Sequence, residues 1–266
     1  MKNGGSDNSF PGIFSKNIFC AGPRICPQCL CFFLATLLSL AAFPLTLQAS
    51  QPVVVTQDSQ NIPLGLHVDF FEDPSQKLTI EEISSPSLAG KFFPSTQETP
   101  GFGFTKSVYW ARITLINPQP EPAQYYLEVA YPLLDHIGLY TPTARGFSLL
   151  KAGDNHPFAE RPVKSRNFVF PLRLDAQKTT TIYLRCKSTS SLNFPLTLLS
   201  PLALSEKISN ERSLLGLYYG IMFTMLLFSL FFWFVLLDIT YFYYFFFIGG
   251  FTLFQLSING LAFQYL

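Results

Sequence analysis

A long stretch without a single charge decides much of what this chain can fold into. No Asp, Glu, Lys or Arg occurs between Arg212 and Asp238, and most of the residues between them are apolar. Because an α-helix rises about 1.5 Å per residue, this run is long enough to cross the roughly 30 Å hydrocarbon layer of a bilayer. The sequence therefore predicts a transmembrane helix over residues 214–237.

The segment before this run also has a helical pattern. Pro201 suits a first helical turn, and the charged side chains within residues 205–212 form a polar face. Neither Gly nor Pro occurs between Leu202 and Leu215, so we expect residues 201–213 to be a juxtamembrane helix that enters the membrane without a flexible joint. Such a helix suits the transmission of a conformational change. A simple membrane anchor is the alternative.

A second apolar run, residues 241–266, follows a short turn. It contains Gly249 and Gly250, which allow helices to pack closely. Its polar members are expected to face other helices, because an unpaired amide is costly in hydrocarbon. Two helices offer few such partners, so we predict a second transmembrane helix and a membrane bundle that is incomplete in this sequence. These polar residues are Gln255, Ser257 and Asn259.

Residues 1–50 have the form of a targeting segment. A basic lead precedes an apolar core at residues 30–43. The sequence predicts a cleaved signal peptide or an uncleaved N-terminal anchor, and both place the chain from residue 51 onward outside the cytoplasm. Cys26 and Cys29 have CxxC spacing but lack a second CxxC or a histidine pair, so we predict no metal or redox site there.

Composition indicates a membrane protein and excludes some classes of function. Only 13% of the 266 residues are charged, against about 25% in typical soluble domains. The net charge of +1 and the absence of a basic stripe argue against a nucleic-acid partner. No catalytic motif occurs, so we predict no enzyme, metal or cofactor.

We interpret the acidic cluster of Asp69, Glu72 and Asp73 as a solvated turn rather than a cation site.

Residues 51–200 have a different pattern, in which Pro, Ser, Thr and Gly separate short runs that alternate apolar and polar side chains. Such period-two patterning predicts an all-β domain, an antiparallel sandwich or barrel, without a convincing helix. About 150 residues are enough for one well-buried core. Strands are predicted at 53–55, 66–72, 78–83, 109–115, 125–130, 136–140, 147–151, 167–174, 181–187 and 192–198.

Several strings of residues resemble one receptor family. They include PLGLHVDFFEDPSQKLTIEEI, GFGFTKSVYWARITLINP and YYLEVAYPLLDHIGLYTP, and later LLGLYYGIMFTMLLFSLFF and QLSINGLAFQYL. Taken together, residues 60–266 resemble the bacterial seven-transmembrane receptors with diverse intracellular signalling modules. The likeness is to their type 2 extracellular domain and to the start of their membrane bundle.

The resemblance implies a jelly-roll sandwich, similar to carbohydrate-binding modules, over residues 51–200. It places this sandwich in the periplasm and the helices that follow in the bacterial inner membrane. Members of the family continue with seven membrane helices and a cytoplasmic output domain, whereas this sequence has two of the helices and no output domain. The expected function is a ligand-sensing module of a membrane receptor. The alternative is a membrane-tethered binding or assembly protein, or a truncated receptor, without signalling output.

Ligand-binding candidates come from two places. Trp110 and Arg112 share the polar face of a predicted strand, where an indole ring can stack on a sugar, although packing in a sheet interface is the alternative. A later stretch combines a carboxylate, a histidine and guanidinium groups, which suit hydroxyls and carboxylates, and an ordinary charged loop is the alternative. The predicted binding residues are Trp110, Arg112, Asp154, His156, Arg161 and Arg166. The expected partners are a small molecule, with a carbohydrate as one candidate, the lipid bilayer and other receptor subunits.

Overall fold

The computed structural model describes residues 50–262, which belong to one compact unit. The targeting segment predicted at residues 1–50 lies outside these residues except for Ser50. The strands are β1 (Val53–Val54), β2 (Asn61–Pro63), β3 (Val68–Asp73), β4 (Phe93–Pro94), β5 (Gly101–Phe104), β6 (Val108–Asn117), β7 (Ala123–Val129), β8 (His136–Thr143), β9 (Gly146–Ala152), β10 (Phe168–Leu174), β11 (Lys178–Lys187), β12 (Ser191–Asn193) and β13 (Leu196–Leu199). The helices are α1 (Ile80–Ile83), α2 (Pro86–Ala89), α3 (Pro201–Leu236) and α4 (Ile239–Ile258).

The described strands form two larger sheets and one ribbon. The large sheet has the order β4-β3-β6-β11-β8-β9, and β1 pairs in parallel with the last part of β6. The small sheet has the order β10-β7-β13-β2, and β12 pairs with β5 to form the ribbon. Apart from the β1–β6 pair, the strand pairs of the described residues are antiparallel, as the alternating pattern predicts.

The two sheets pack face to face around one hydrophobic core. Phe70, Ile113 and Leu184 of the large sheet and Leu127 and Phe170 of the small sheet are fully buried in it. Successive side chains of a strand point to opposite faces, so a shift of one residue would turn every core side chain of that strand to the outer face. The prediction of a mostly β domain followed by apolar helices is confirmed.

A second, smaller apolar cluster covers part of the outer face of the large sheet. There α1 and α2 lie over the sheet, and Phe92 packs in the same cluster as Trp110. A capping box starts α1: Thr79 Oγ1 accepts a hydrogen bond from the Glu82 N–H, and Glu82 Oε2 accepts one from the Thr79 N–H. Because a capping box favours a helix, the strand predicted at 78–83 is wrong, and so is the expectation of no helix before residue 200.

The strand predicted at 192–198 is divided into two. Its first part, β12, belongs to the ribbon, and its second part, β13, belongs to the small sheet. The break falls at Phe194 and Pro195, and proline has no N–H to donate to a continuous ladder. The Phe194 N–H instead donates to the carbonyl oxygen of Pro100 at 2.8 Å, while its ring enters the main core.

Helix α3 starts immediately after β13 and is continuous over 36 residues. Ser200 caps it, because the Ser200 Oγ accepts a hydrogen bond from the Ala203 N–H at 3.2 Å, and Pro201 occupies the first turn. A helix of this length spans about 54 Å at 1.5 Å per residue. It is therefore longer than the roughly 30 Å hydrocarbon layer requires, and its first turns lie beside the sandwich.

Helix α4 packs against α3 after a short turn. Leu237 ends α3 in the left-handed conformation, with φ of 54°, and Asp238 caps α4 by accepting a hydrogen bond from the Thr240 N–H at 2.9 Å. Both helices are long and apolar enough to cross a membrane. The second helix begins two residues before the predicted start at 241, since Asp238 supplies the cap, and it ends at Ile258.

Candidate functional site

Trp110 lies in a closed environment. Its ring is fully buried beneath α1 and α2, with the Tyr140 ring at a centroid distance of 5.4 Å. The Arg185 guanidinium lies 5.8 Å from the Trp110 ring centroid. A ligand has no access to this indole face in the structure, so the geometry does not support the predicted stacking of Trp110 on a sugar. The ring packs under two short helices rather than between two sheets.

Arg112 holds the covering helices in place instead of facing an open site. Its Nη2 donates to Asp69 Oδ2 at 2.8 Å, and its Nη1 donates to the carbonyl oxygen of Ala89 at 3.2 Å. Its guanidinium carbon lies 4.2 Å from the ring centroid of Phe92. These contacts join β6 to β3 and α2. These contacts give Arg112 a structural role, and they do not support its prediction as a ligand contact.

Asp73, the last residue of the acidic cluster, is buried at the end of β3 and holds the turn that follows. Asp73 accepts hydrogen bonds from the Ser75 hydroxyl at 2.5 Å and from the N–H groups of Gln76 and Leu78, both at 3.1 Å. Asp69 and Asp73 are buried, whereas Glu72 is exposed, so the interpretation of a solvated cluster agrees with the structure for Glu72 and not for the two aspartates. The residues from 50 to 262 contain no group of three or more His, Cys, Asp or Glu arranged to hold a metal ion.

The remaining predicted residues lie along one loop between β9 and β10. We call residues 153–167 the connecting loop. Asp154 and His156 lie at its first end, beside β8, whereas Arg166 lies at its second end, beside α3. The connecting loop therefore does not gather these side chains at one site. It spans two separate places on the sandwich.

Arg161 stabilises the interior of the connecting loop. It is buried, and its Nη1 donates to the carbonyl oxygens of Ser165 at 2.8 Å and Arg166 at 2.9 Å. Its guanidinium also lies over the rings of Phe158 and Phe168, at 5.0 and 4.6 Å from their centroids. Burial lowers the pKa of Arg161 to about 10, against which the nearby Asp154 carboxylate acts. Arg161, which was predicted to contact a ligand, instead makes its contacts within the loop and stabilises the loop's conformation.

The surroundings of Asp154 in the connecting loop disfavour the ionised form of its carboxyl group. Burial raises the pKa of its carboxyl group above the ordinary value, and repulsion from Asp135 raises it further. The positive charges of His136 and Arg161 act in the opposite direction and do not cancel the rise. Its Oδ1 has no hydrogen-bond partner among the residues that the structure describes.

The first end of the connecting loop borders a cleft on the outer face of the large sheet, which we call the sheet-face cleft. Its volume is about 240 Å³. Arg185, Gly138 and Lys151 stand in register across β11, β8 and β9, so two cations flank a glycine in one row. The cleft is lined by His136, Ile137, Gly138, Tyr140, Leu149, Lys151, His156 and Arg185.

Two histidines join the sheet-face cleft to the connecting loop. His136 Nδ1 lies 3.4 Å from His156 Nε2, and the two rings are nearly perpendicular, with an interplanar angle of 76°. One of these nitrogens must lack its proton for the contact to be a hydrogen bond. Movement of His156 in response to an occupant of the cleft would therefore move the first end of the connecting loop.

The second end of the connecting loop meets α3 through ion pairs. Arg166 Nε donates to Glu211 Oε2 at 2.9 Å. Close by, Lys207 Nζ donates to Glu128 Oε2 at 2.5 Å, and Asn167 Nδ2 donates to Glu128 Oε1 at 2.7 Å. The Glu128 side chain is only 3% exposed, so these partners take the place of water around its carboxylate. Together they attach the first turns of α3 to the small sheet.

Apolar contacts and a small cavity accompany these ion pairs. Leu199 and Leu204 are buried in a cluster that includes Ile208 at its edge, and Ile208 also lines a cavity of about 280 Å³. The end of α4 meets the same place, because Asn259 Nδ2 donates to the Tyr219 hydroxyl at 3.0 Å. The cavity is lined by Ser165, Arg166, Ile208, Glu211, Arg212, Leu215, Gly216, Tyr219 and Leu261.

Several residues of the sheet-face cleft and of the contact between the connecting loop and α3 were not predicted from the sequence. The alternation along residues 181–187 does put Arg185 on the outward face, and this signal was available. The sequence carried no signal, however, that Lys151 is its neighbour across β8. Likewise, the sequence shows the polar face of the helix around Glu211. It does not show that Arg166, from the connecting loop, is the partner of Glu211.

Comparisons with known proteins agree with this architecture. A family model described as 7TMR-DISM extracellular 2 matches residues 65–200. A second model, described as 7TM diverse intracellular signalling, matches residues 211–266. The first covers most of the sandwich, and the second covers most of α3 and all of α4. No curated protein matches the chain.

Proposed function

The chain belongs to the family of seven-transmembrane receptors with diverse intracellular signalling modules, and from this premise we propose that its sandwich senses a small molecule in the bacterial periplasm. The family is one of membrane receptors with an extracellular sensing domain and is not an enzyme family. In the proposal, the ligand binds the sandwich and favours one pose of the domain on the inner membrane. The change of pose then alters the position of α3 in the membrane.

The observation that carries this proposal is the route from the sheet-face cleft to α3. The connecting loop has His156 at the cleft and Arg166 on Glu211 of α3. Its middle is stiffened by Arg161, which is buried and bonded to carbonyl oxygens of the loop itself. In the proposal, this internal bracing reduces how much of a displacement at one end the loop absorbs before it reaches the other end.

The continuity of α3 supports the second half of the route. The helix runs from Pro201 to Leu236 without a break, so no loop separates its first turns on the sandwich from its apolar part. A Gly-rich linker at the same place would behave as a flexible coil and lose the signal. A ligand shifts such an equilibrium only as far as its affinities for the two poses differ.

Hydrogen exchange of the full chain in lipid nanodiscs tests this proposal. A panel of monosaccharides and organic acids is first screened for a rise in unfolding temperature. A ligand that stabilises the sandwich is expected to change the exchange rates of amides in residues 201–213 as well. Glu211→Gln, which removes an ion pair worth about 0.2–1 kcal/mol, is expected to reduce that second change and leave ligand affinity nearly unaltered.

Glu206→Gln is the matched control, because Glu206 is exposed on the same helix and has no ion pair within the described residues. It is expected to behave like the parent chain. A ligand that protects the sandwich but leaves residues 201–213 unchanged contradicts the proposed transmission. The failure of every panel member to raise the unfolding temperature contradicts the proposed sensing.

A further inference from the structure

We propose that the sheet-face cleft binds a small organic carboxylate, with the carboxylate group between Arg185 and Lys151. This inference rests on the proposed sensing function and specifies its ligand class. It starts from the row in which these three residues stand in register. Neighbouring strands lie about 4.8 Å apart, so the two flanking backbones are about 10 Å apart.

Glycine at the centre of the row lets the Leu149 and Tyr140 side chains close in over the backbone. A Cβ atom added at Gly138 would lie 3.1 Å from Leu149 Cδ1 and 3.4 Å from Tyr140 Cε2. Any larger side chain there would project into the cleft between the two cations. The backbone of Gly138 does not require glycine, because its φ is not in the left-handed region. Glycine at this position is therefore set by the close approach of Leu149 and Tyr140, and a side chain there would displace them within the cleft.

The charge of the cleft matches an anion. Arg185 and Lys151 line it, together with His136 and His156, and no carboxylate belongs to its lining within residues 50–262. Neither Arg185 nor Lys151 has a carboxylate within 4.0 Å in the described structure, where the ion pairs involve other cations. Arginine matches the planar geometry of a carboxylate with two parallel hydrogen bonds.

Existing contacts hold Arg185 in place for this role. Its Nη2 donates to the carbonyl oxygen of Gln76 at 3.1 Å, and its guanidinium lies over the Trp110 ring. These contacts fix the position of the side chain without neutralising its charge. The burial of Trp110, which removes it as a stacking platform, thus supports the residue that would bind the ligand.

The rest of the lining favours an organic ligand over a free inorganic anion. Tyr140 and Leu149 add an aromatic ring and an aliphatic side chain beside the cationic row. Burial raises the pKa of Tyr140, so its hydroxyl stays protonated and can donate to a ligand oxygen. The volume of about 240 Å³ is below the roughly 300–1,000 Å³ of pockets for drug-sized ligands. It suits a short organic acid or a single sugar acid.

Calorimetric titration of the full chain in nanodiscs tests the inference. The probes are glucuronate and succinate, with glucose as the neutral match for glucuronate and inorganic phosphate as the competing anion. At least one carboxylate is expected to bind, with glucose at least about tenfold weaker. Lys151→Gln is expected to weaken carboxylate binding about tenfold, and Gly138→Leu is expected to abolish it.

Arg173→Gln is the control for charge removal, because Arg173 is exposed on the small sheet. This substitution is expected to leave binding unchanged. Far-ultraviolet circular dichroism confirms that each variant is folded, and Gly138→Ala serves as a milder filling variant if Gly138→Leu does not fold. The inference is overturned if no carboxylate probe binds at up to about 10 mM, if phosphate binds more tightly than both, or if Lys151→Gln has no effect.

The two proposals fail in different ways. Carboxylate binding that depends on Lys151 but leaves exchange in residues 201–213 unchanged supports the cleft and contradicts the transmission. A neutral ligand that alters exchange in α3 and is insensitive to Lys151→Gln supports the transmission and overturns the cleft inference.

Discussion

At the scale of single residues, Asp154 illustrates how a buried charge makes stability depend on pH. Because burial and Asp135 raise the pKa of its carboxyl group, the folded chain retains this proton to a higher pH than the unfolded chain, in which an aspartate titrates near about 3.9. The folded state therefore binds more protons in the window just above that value. Stability falls as pH rises through the window, and the ionised carboxylate destabilises the fold at neutral pH.

We expect Asp154→Asn to raise the unfolding temperature of the chain at pH 7, since the amide carries no charge to desolvate. The gain should shrink as pH falls through the window and vanish below about pH 3.9, where both states of the parent are protonated. Thermal unfolding in detergent between pH 3 and pH 8 measures the difference. Asp58→Asn, at an exposed turn, is the control, and a loss of stability at pH 7 for Asp154→Asn would contradict the sign.

At the scale of secondary-structure elements, the attachment of α3 to β7 depends on the buried carboxylate of Glu128. Removing Lys207 leaves this 3% exposed side chain with the Asn167 amide as its remaining partner. We expect Lys207→Gln to lower the free energy of unfolding by about 1–3 kcal/mol, the cost of an unsatisfied buried group. The double variant Glu128→Gln/Lys207→Gln should recover much of that loss, because it carries no buried charge.

Urea unfolding of Lys207→Gln, Glu128→Gln, the double variant and the parent completes this double-mutant cycle. Lys178→Gln provides the comparison, since the Lys178–Asp175 pair is 60% and 56% exposed and should contribute less than about 1 kcal/mol. Equal losses for Lys207→Gln and Lys178→Gln would show that the α3–β7 contact is an ordinary surface pair.

At the scale of the whole molecule, the described chain separates into a packed sandwich and two helices with apolar surfaces. Phe234 and Phe247 are 62% and 69% exposed on α3 and α4, which is unfavourable in water and favourable in hydrocarbon. Asn259 is paired with Tyr219 near the sandwich end of this helix pair, so its amide is satisfied without water. The turn at Leu237 is expected to lie on the opposite side of the membrane from the sandwich.

Cysteine labelling with a membrane-impermeant maleimide tests this topology. Arg145→Cys, at the exposed tip of the β8–β9 hairpin, should react in intact spheroplasts. Ile239→Cys, beside the turn, should react only after permeabilisation. The parent chain gives the background, in which Cys186 contributes little because it is fully buried and burial raises the pKa of its thiol. Labelling of both positions in intact spheroplasts would contradict the proposed arrangement.

Local patterns of the sequence were sufficient for the class of fold and for the membrane helices. The uncharged run before Asp238 predicts a helix across a bilayer because the property belongs to one continuous segment. The alternation along 109–115 likewise separates inward from outward side chains, and Ile113 is in the core as that pattern requires. The short helix at Ile80 was also readable, since its capping box is local, but it was misread as a strand.

Only the tertiary structure decided what lies over each outward face and which outward residues are neighbours. Trp110 is outward on its strand yet fully buried, because α1 and α2, from an earlier part of the chain, cover it. Arg185 and Lys151 form one row only because β8 separates β11 from β9. Periodicity indicates on which face of the sheet a side chain lies. Strand order, covering helices and long-range ion pairs arise from contacts between distant segments, and no single segment encodes them.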